Sequence, residues 1–599
     1  MASEMNKTKR LNFSFLKNNN QSAKRSDIKR TNLILLTGIL LIIACTNIIG
    51  YYFYFRIDLT EEKRYTLAPS TKKLLSQSED IVYFKVYLDG DFPADFKQLR
   101  KETREMLNQF RAYSKNIEFE FINPNAISSP EGKRAFYQQL REKNISPSQV
   151  SERTKDGVNQ LLVFPFAEVR YRERETVISL LSSQMYIPEA QLINNSIQNL
   201  EYVLADGIRK VTSFSRKKVG FIKGHEELPG EFLIDIQGSL REYYNVENIE
   251  IDEKISSLTE RKTDYRDSTR INFENKYDAL VIAKPSAPFS DKDLFILDQY
   301  VMHGGKILWL IDPLSASMDS LESNNETIAL RLDLRLENLL FRYGVRVNPD
   351  LILDIRNVPI PMVTGWTGEK PQVSFMPWFY FPEILPRSGH PIVKDLNALK
   401  FEFASSIDTI ENPVKKTILL TSSEYSRVVN APAIVSLDYA KEEPDERLFN
   451  KKFLPVAVLL EGQFASAFRN RLDPALTENP EIGYLDENST TKMIVVSDGD
   501  IIRNRFNYKE GFAYPVGYDQ YTRQMYGNKE FVLNCINYLC DDEGFLSVRS
   551  RELKLRKLNA LAVKQKETTY QIINTIIPVL IIICFTAILS FFRRKSFIK

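Results

Sequence analysis

The chain has 599 residues, with 80 lysines and arginines against 77 aspartates and glutamates, three histidines, four cysteines and a formal net charge of +3. This length gives room for several domains, the evenly mixed charges exclude a nucleic-acid footprint, and the cysteine count excludes a disulfide framework. No GxxxxGK[ST] loop, HExxH pair or GxSxG elbow occurs, which removes an ATPase, a zinc hydrolase and a serine hydrolase of the common kinds.

Residues 1–32 form a basic leader, with Lys7, Lys9, Arg10, Lys17, Lys24, Arg25, Lys29 and Arg30 against Glu4 and Asp27. An apolar segment follows from Leu33 to Phe55. As a helix it would reach roughly 34 Å, enough for the ~30 Å of a bilayer's hydrocarbon. Tyr51, Tyr52, Phe53 and Tyr54 close it as an interfacial belt, and the run is too long for the ~7–15 residues of a cleaved signal, so the anchor is expected to be retained.

Residues 56–215 are expected to form a first α/β domain. Ile81–Leu88 and Ile117–Ile122 have the alternation of strands, and Phe96–Tyr113 between them has helical spacing, together a βαβ unit. The stretch Glu131–Glu152 is polar and helix-prone, Gln160–Phe164 and Glu168–Arg172 suit a hairpin, and Ala190–Lys210 suits an amphipathic helix.

Residues 216–545 are expected to form a second, doubly wound α/β domain. Lys218–Ile222, Asp278–Ala283 and Lys306–Ile311 are short apolar strands, and Asp291–Met302 is a helix closed by Gly304 and Gly305. Leu351–Leu353, Thr417–Leu420, Val456–Leu460 and Met493–Val496 are apolar enough for a parallel sheet covered on both faces. Six prolines from Pro361 onward interleave with Trp366, Trp378, Phe379, Tyr380 and Phe381 in Pro359–Pro391, which predicts a long loop. Cys535 and Cys540 fall on a helix over Asn528–Cys540 at a spacing of five, which points them apart as two buried thiols.

Open α/β sheets place ligands at the carboxyl ends of their strands. Gly224, His225 and Glu226 stand there, as do Asp312 and Ser497-Asp498-Gly499-Asp500; the last pair of carboxylates suits a cation or a hydroxyl-rich ligand, and each position also suits an ordinary turn or cap. His303, before Gly304 and Gly305, is expected to sit at a helix end where positive charge favours the dipole.

Residues 546–571 read as a helical stalk, basic with Leu553, Leu555, Leu558 and Leu561; residues 572–592 as a second span kinked at Pro578; and residues 593–599 as a basic tail. Basic flanks stay in the cytoplasm. Both termini are therefore expected there, with the intervening region exported, in a bacterial envelope to the periplasm.

Three stretches resemble the auxiliary subunits of ABC transporters. They are the juxtamembrane run with Arg56, Asp58, Leu59, Thr60, Tyr65 and Leu67; the strand Val219–Glu227 ending in Gly224-His225-Glu226-Glu227; and Asp278–Pro313 with its Gly-Gly and closing Asp-Pro. Ala68 replaces the family's serine helix cap. The resemblance implies a non-enzymatic, cofactor-free subunit of a hetero-oligomer in the inner membrane. It implies a GldF-like permease and a GldA-like ATPase as partners, a role in surface gliding with a link to protein secretion, and a second domain of flavodoxin-like or glutamine-amidotransferase-like kind lacking the catalytic cysteine. A receptor for a glycan or peptide, using His225, Asp312 and Asp498 with Trp366 and Trp378 as stacking surfaces, is the alternative; an unusual hydrolase is a third.

Overall fold

The computed structural model describes residues 24–52, 66–143, 145–154, 157–213, 216–263, 271–368, 370–488, 490–542, 544–550 and 566–597. The chain divides into two compact units, residues 1–66 and 67–599. In the first unit, helix α1 runs over Lys24–Tyr52. Its polar residues turn back onto the helix: Thr37 Oγ1 donates to the Leu33 carbonyl at 2.7 Å and Asn47 Nδ2 to the Ile43 carbonyl at 2.9 Å, leaving Leu33–Ile48 an apolar helix of fewer than 18 residues. The juxtamembrane positions Arg56, Asp58, Leu59, Thr60 and Tyr65 lie outside the described residues.

The second unit begins with a four-stranded sheet. β1 (Val82–Val86), α2 (Ala94–Tyr113) and β2 (Ile117–Phe121) are the expected βαβ unit, with β1 and β2 parallel. β3 (Phe166–Tyr171) and β4 (Arg174–Ser179) complete the order β2-β1-β3-β4. Helix α3 (Glu189–Thr212) buries Ile193, Ile197, Leu200, Leu204, Ile208 and Val211, a stripe at helical spacing, in the core that Phe84, Phe96 and Phe110 share. Phe545, far along the chain, joins the same core.

The hairpins differ from expectation. Gly157–Val163 pairs with Ser148–Thr154, so part of the stretch read as helix-prone is a strand, and the helix there stops at Glu142. Phe166–Tyr171 pairs with Arg174–Ser179 through a turn in which Arg172 has φ +53°. Pro165, which has no N–H to give a ladder, lies between the two segments expected to pair, and each pairs with another neighbour instead.

The large sheet has seven strands: β5 (Lys218–Lys223), β6 (Asn245–Glu250), β7 (Ala279–Ala283), β8 (Ile307–Leu310), β9 (Lys415–Thr421), β10 (Pro455–Gly462) and β11 (Thr491–Val496). Their order is β9-β10-β11-β8-β7-β5-β6. β6, β5, β7, β8 and β11 are parallel, whereas β10 runs antiparallel to β11 and β9 antiparallel to β10. The sheet is thus mixed, correcting the all-parallel expectation for Thr417–Leu420 and Val456–Leu460. Leu351–Leu353 lies in a separate two-stranded ladder, Asp350–Asp354 with Ser426–Asn430. β6 was missed because its sequence, NVENIE, is polar; as an edge strand it buries one residue fully.

Side chains of one strand alternate between two cores. Leu308 and Leu310 of β8 face one core with Leu240 of α4 (Ile234–Leu240); Ile307 and Trp309 face the other with Leu297 of α5 (Asp291–Met302) and Leu340 of α6 (Glu337–Tyr343). α7 (Asn528–Cys540) adds Phe531, Ile536, Cys535 and Cys540 to the first core, both cysteines as free thiols whose pKa burial pushes up, that of Cys540 to about 12. Helices therefore cover both faces.

α5 starts at Ser290, whose Oγ accepts from the Asp293 N–H at 3.1 Å, and ends before Gly304, which has φ +84°. Burial lowers the pKa of His303 at this end; its Nε2 lies 2.9 Å from the Gly483 carbonyl and its ring stacks on Phe273. Burial thus works against the positive charge that the helix dipole was expected to favour there. The proline-rich stretch is ordered too: Ile360–Thr367 and Lys370–Met376 form a hairpin with a bulge between Val363 and Gly365.

The C-terminal helix α8 spans Glu567–Phe597 with Pro578 inside it. Its part Glu567–Phe592, of mean hydropathy 2.7, is the one helix among the described residues long and apolar enough to cross a bilayer. The stalk residues 551–565 lie outside the described residues.

Candidate functional site

Because β5, β7, β8 and β11 are parallel neighbours, their carboxyl ends share one edge of the sheet. The structure brings Asp312, after β8, together there with Asp498 and Asp500, the pair read after β11, and with one residue the sequence reading had not joined to them, Lys284 after β7. Lys284 Nζ lies 3.1 Å from Asp312 Oδ2 and is hydrogen-bonded to Asp500 Oδ2. The Gly499 N–H donates to Asp312 Oδ1 at 2.5 Å, and Asp498 accepts the N–H groups of Glu402 and Asp500, both at 2.8 Å. Glycine is required at 499, since a Cβ there would lie 2.5 Å from Lys284 Cβ.

The electrostatics follow from burial. Asp312 and Asp498 are 3 % and 0 % exposed, and burial raises both pKa values despite their donors, with Asp312 and Asp500 adding repulsion at Asp498. Burial opposes the charge of Lys284, but Asp312 and Asp500 overcome it and raise its pKa. The ammonium fills the place between two carboxylates that a bound cation would take.

In front of this cluster opens a cleft of about 500 Å³ bordered by Lys400, Glu402, Asp500, Arg503 and Arg505. Burial would raise the pKa of Glu402, yet Lys400, Arg505 and Arg503 pull it down to about 2. The sequence carried a signal for Lys284, a charge directly after the five fully buried residues of β7. It carried none for Lys400 and Glu402, which arrive from about a hundred residues away.

Gly224, His225 and Glu226 sit at the same edge beyond β7, in a closed turn. Gly224 has φ +114° and Glu226 φ +54°. The His225 ring faces inward, stacked on Phe289 with centroids 3.7 Å apart, with Nδ1 3.3 Å from Glu227 Oε1 and Nε2 3.3 Å from Asp293 Oδ2. The His225 carbonyl accepts the N–H groups of Ser286 and Ala287, and Glu226 Oε2 the Ser286 hydroxyl at 3.0 Å. This arrangement ties the loop after β5 to the start of α5. Trp378 is 0 % exposed in an aromatic core with Tyr380 and Phe381 and presents no stacking surface; Trp366, on the hairpin, is 68 % exposed. Leu67 is buried, and the Ala68 N–H is bonded to Glu201 Oε1 rather than through a serine cap.

A pH dependence follows. Burial works against the charged form of His225, but Glu227 and Asp293 prevail and raise its pKa above 6.5. Stability from a raised pKa is full below the unfolded value and is lost as pH rises through the folded one. The same sign holds for Asp312 and Asp498 from 3.8 upward. Stability is therefore expected to peak in mildly acidic solution and decline toward alkaline pH, while below 3.8 the loss of ionised Glu402 reverses the trend. Urea midpoints across this range check it, and His225→Gln should flatten the neutral-to-alkaline limb.

The comparisons with known proteins fall on this region. The family model described as an ABC-type uncharacterized transport system matches residues 216–535, the whole large sheet and its edge. The chain belongs to that family. A second model, a domain of unknown function, matches residues 61–170. An uncharacterized protein of Borreliella burgdorferi is 22 % identical over 581 residues, covering 96 % of this chain and 100 % of its own. A solved structure described as the mmIFT52 N-terminal domain aligns with 54 % of this chain and 98 % of its own at 13 % identity and a TM-score of 0.30. Family membership supports an auxiliary role in ABC transport and association with transporter components, and α8 supports membrane association.

Proposed function

We propose that this protein is a non-enzymatic auxiliary subunit that couples a separate permease and ATPase of an ABC transporter to a large exported α/β region. The observation that carries the reading is the family match over the large sheet, on a chain that also holds a helix long enough to span a bilayer. At the finer level the reading is GldG, acting with GldF-like and GldA-like partners in gliding motility from a bacterial inner membrane. It is supported by the Asp58-Leu59-Thr60 juxtamembrane run and the Gly224-His225-Glu226-Glu227 strand end. The chain order 2-1-3-4-5 of the parallel strands β6-β5-β7-β8-β11 agrees with a flavodoxin-like second domain.

The test is copurification: from mild detergent, the tagged protein is expected to bring down an untagged permease and ATPase in fixed proportion. Recovery of the protein alone from cells expressing all three sinks the reading. Topology is checked separately. With two spans, the protein should remain in alkali-washed membranes when either Leu33–Ile48 or Glu567–Phe592 is deleted and leave them only when both are. Release on deleting Glu567–Phe592 alone would leave one anchor.

A ligand receptor is the second reading, favoured by one observation: the polar cleft at the strand ends has the volume of a small-molecule site.

A further inference from the structure

We propose that the cleft in front of the Lys284–Asp500 pair binds an uncharged saccharide of about two rings. The cleft encloses about 500 Å³, within the range of small-ligand sites. Its charges are already largely spent on one another. Lys400 lies 2.9 Å from Glu402 and 3.5 Å from Asp519, and Arg503 lies 3.2 Å from Asp319 and 3.5 Å from Asp500. A phosphate or a free carboxylate would find only Arg505 without a carboxylate partner and would otherwise face the acids Glu402 and Asp500 or have to break these pairs, which is costly. A hydroxyl meets no such barrier, because it donates to a carboxylate and accepts from a guanidinium or ammonium at once.

Two groups retain unused capacity. Asp500 Oδ1, buried at the cleft wall, makes no hydrogen bond and meets only Arg503, at the loose distance of 3.5 Å. The Arg505 guanidinium has no carboxylate within 4.0 Å among the described residues and lies 5.5 Å over the Tyr521 ring. A fork of donors on Arg505 beside the carboxylates that border the same cleft suits vicinal hydroxyls, which accept from the one and donate to the other.

The rim supplies the other half of sugar recognition. Tyr508 and Tyr521 border the cleft and are 70 % and 45 % exposed. A pyranose has one face of C–H groups, and flat exposed rings beside a dense polar floor match that division into an apolar face and a hydroxyl edge. A peptide would instead need a free sheet edge or apolar pockets for its side chains, and the floor here is ionic.

The proposal stands apart from the transporter reading, since copurification can fail while saccharide binding holds, and the reverse. The full-length protein, in a detergent without a sugar headgroup, is titrated by saturation-transfer NMR and calorimetry with maltose, cellobiose, lactose and chitobiose, and with inorganic phosphate and trialanine as controls. At least one disaccharide is expected to bind saturably. Tyr521→Ala and Arg505→Gln, both rim changes, should each weaken it about tenfold with an unchanged melting temperature. Binding of phosphate or trialanine but no disaccharide, no saturable disaccharide signal at all, or affinity indifferent to both substitutions would each overturn the proposal.

Discussion

Lys284→Met is expected to destabilise the protein by about 3–5 kcal/mol, the usual cost of removing one partner of a buried ion pair. Methionine keeps much of the stem's volume and removes only the charge. What remains is Asp312 at 3 % exposure and Asp500 at 8 %, facing each other across a position with no cation. Water cannot reach them readily, and Asp498, wholly buried beside them, adds a third acid. Lys284 also holds φ +55°, a strained backbone conformation for a non-glycine residue. A domain stable by a typical 5–15 kcal/mol would lose much of its margin. Adding Asp312→Asn and Asp500→Asn to Lys284→Met should recover most of the loss, because a neutral cluster no longer needs its cation. Denaturant midpoints of the three proteins decide the matter, and a Lys284→Met change below ~1 kcal/mol would mean that the site is wetter than its geometry indicates.

How much of this was legible beforehand depends on how locally each feature is encoded. The parallel strands β5, β7, β8 and β11 were readable because burial on both faces produces short uninterrupted apolar runs, such as ALVIA and ILWL. The same criterion misled for β10: PVAVLLEG is buried along most of its length too, and direction leaves no trace in composition. β6 escaped because an edge strand can remain polar. Trp378 and Trp366 lie twelve residues apart in one proline-rich stretch, yet one is in a core and the other on a hairpin. Proline interrupts ladders without saying which residues will still be covered.

The candidate site was half legible for a related reason. A carboxylate directly after a buried strand has to be at a sheet edge, and this located Asp312 and Asp498. Which partners neutralise them depends on strand order, which sets β7 beside β8 and β8 beside β11, and so gives Asp312 the Lys284 ammonium. His225 stood at the correct edge, but the residues that turn it inward, Phe289 and Asp293, belong to a helix start more than sixty residues later. Ser290 followed by Asp293 is itself a capping signature, and the Asp293 carboxylate is the group that this helix start shares with the His225 loop.

Asp298→Ala should be at least as damaging as the loss of Lys284, and for the opposite reason: it removes an acceptor from four donors, of which only Gln299 Nε2 has a second one, the Leu485 carbonyl at 3.2 Å. Asp298 is 0 % exposed on α5. Its Oδ1 accepts the Tyr343 hydroxyl at 2.9 Å and the Ala467 N–H at 2.8 Å, and its Oδ2 accepts the Ser466 hydroxyl at 2.6 Å and Gln299 Nε2 at 3.1 Å. Three of those donors come from α6 and from the chain beyond β10, so one carboxylate on α5 joins three elements over the core that contains Trp309 and Leu340. Each orphaned buried donor costs ~1–3 kcal/mol, giving a loss of roughly 4 kcal/mol even if one of them finds water. Tyr343→Phe deletes one donor and leaves the acceptor three others; it should cost only ~1 kcal/mol. Asp298→Asn should fall between, because its amide offers one oxygen where two accepted and turns an N–H toward another donor. Denaturant unfolding should therefore order the variants as Tyr343→Phe, Asp298→Asn, Asp298→Ala by increasing loss. An Asp298→Ala protein no weaker than Tyr343→Phe would show that the carboxylate does not hold these elements together.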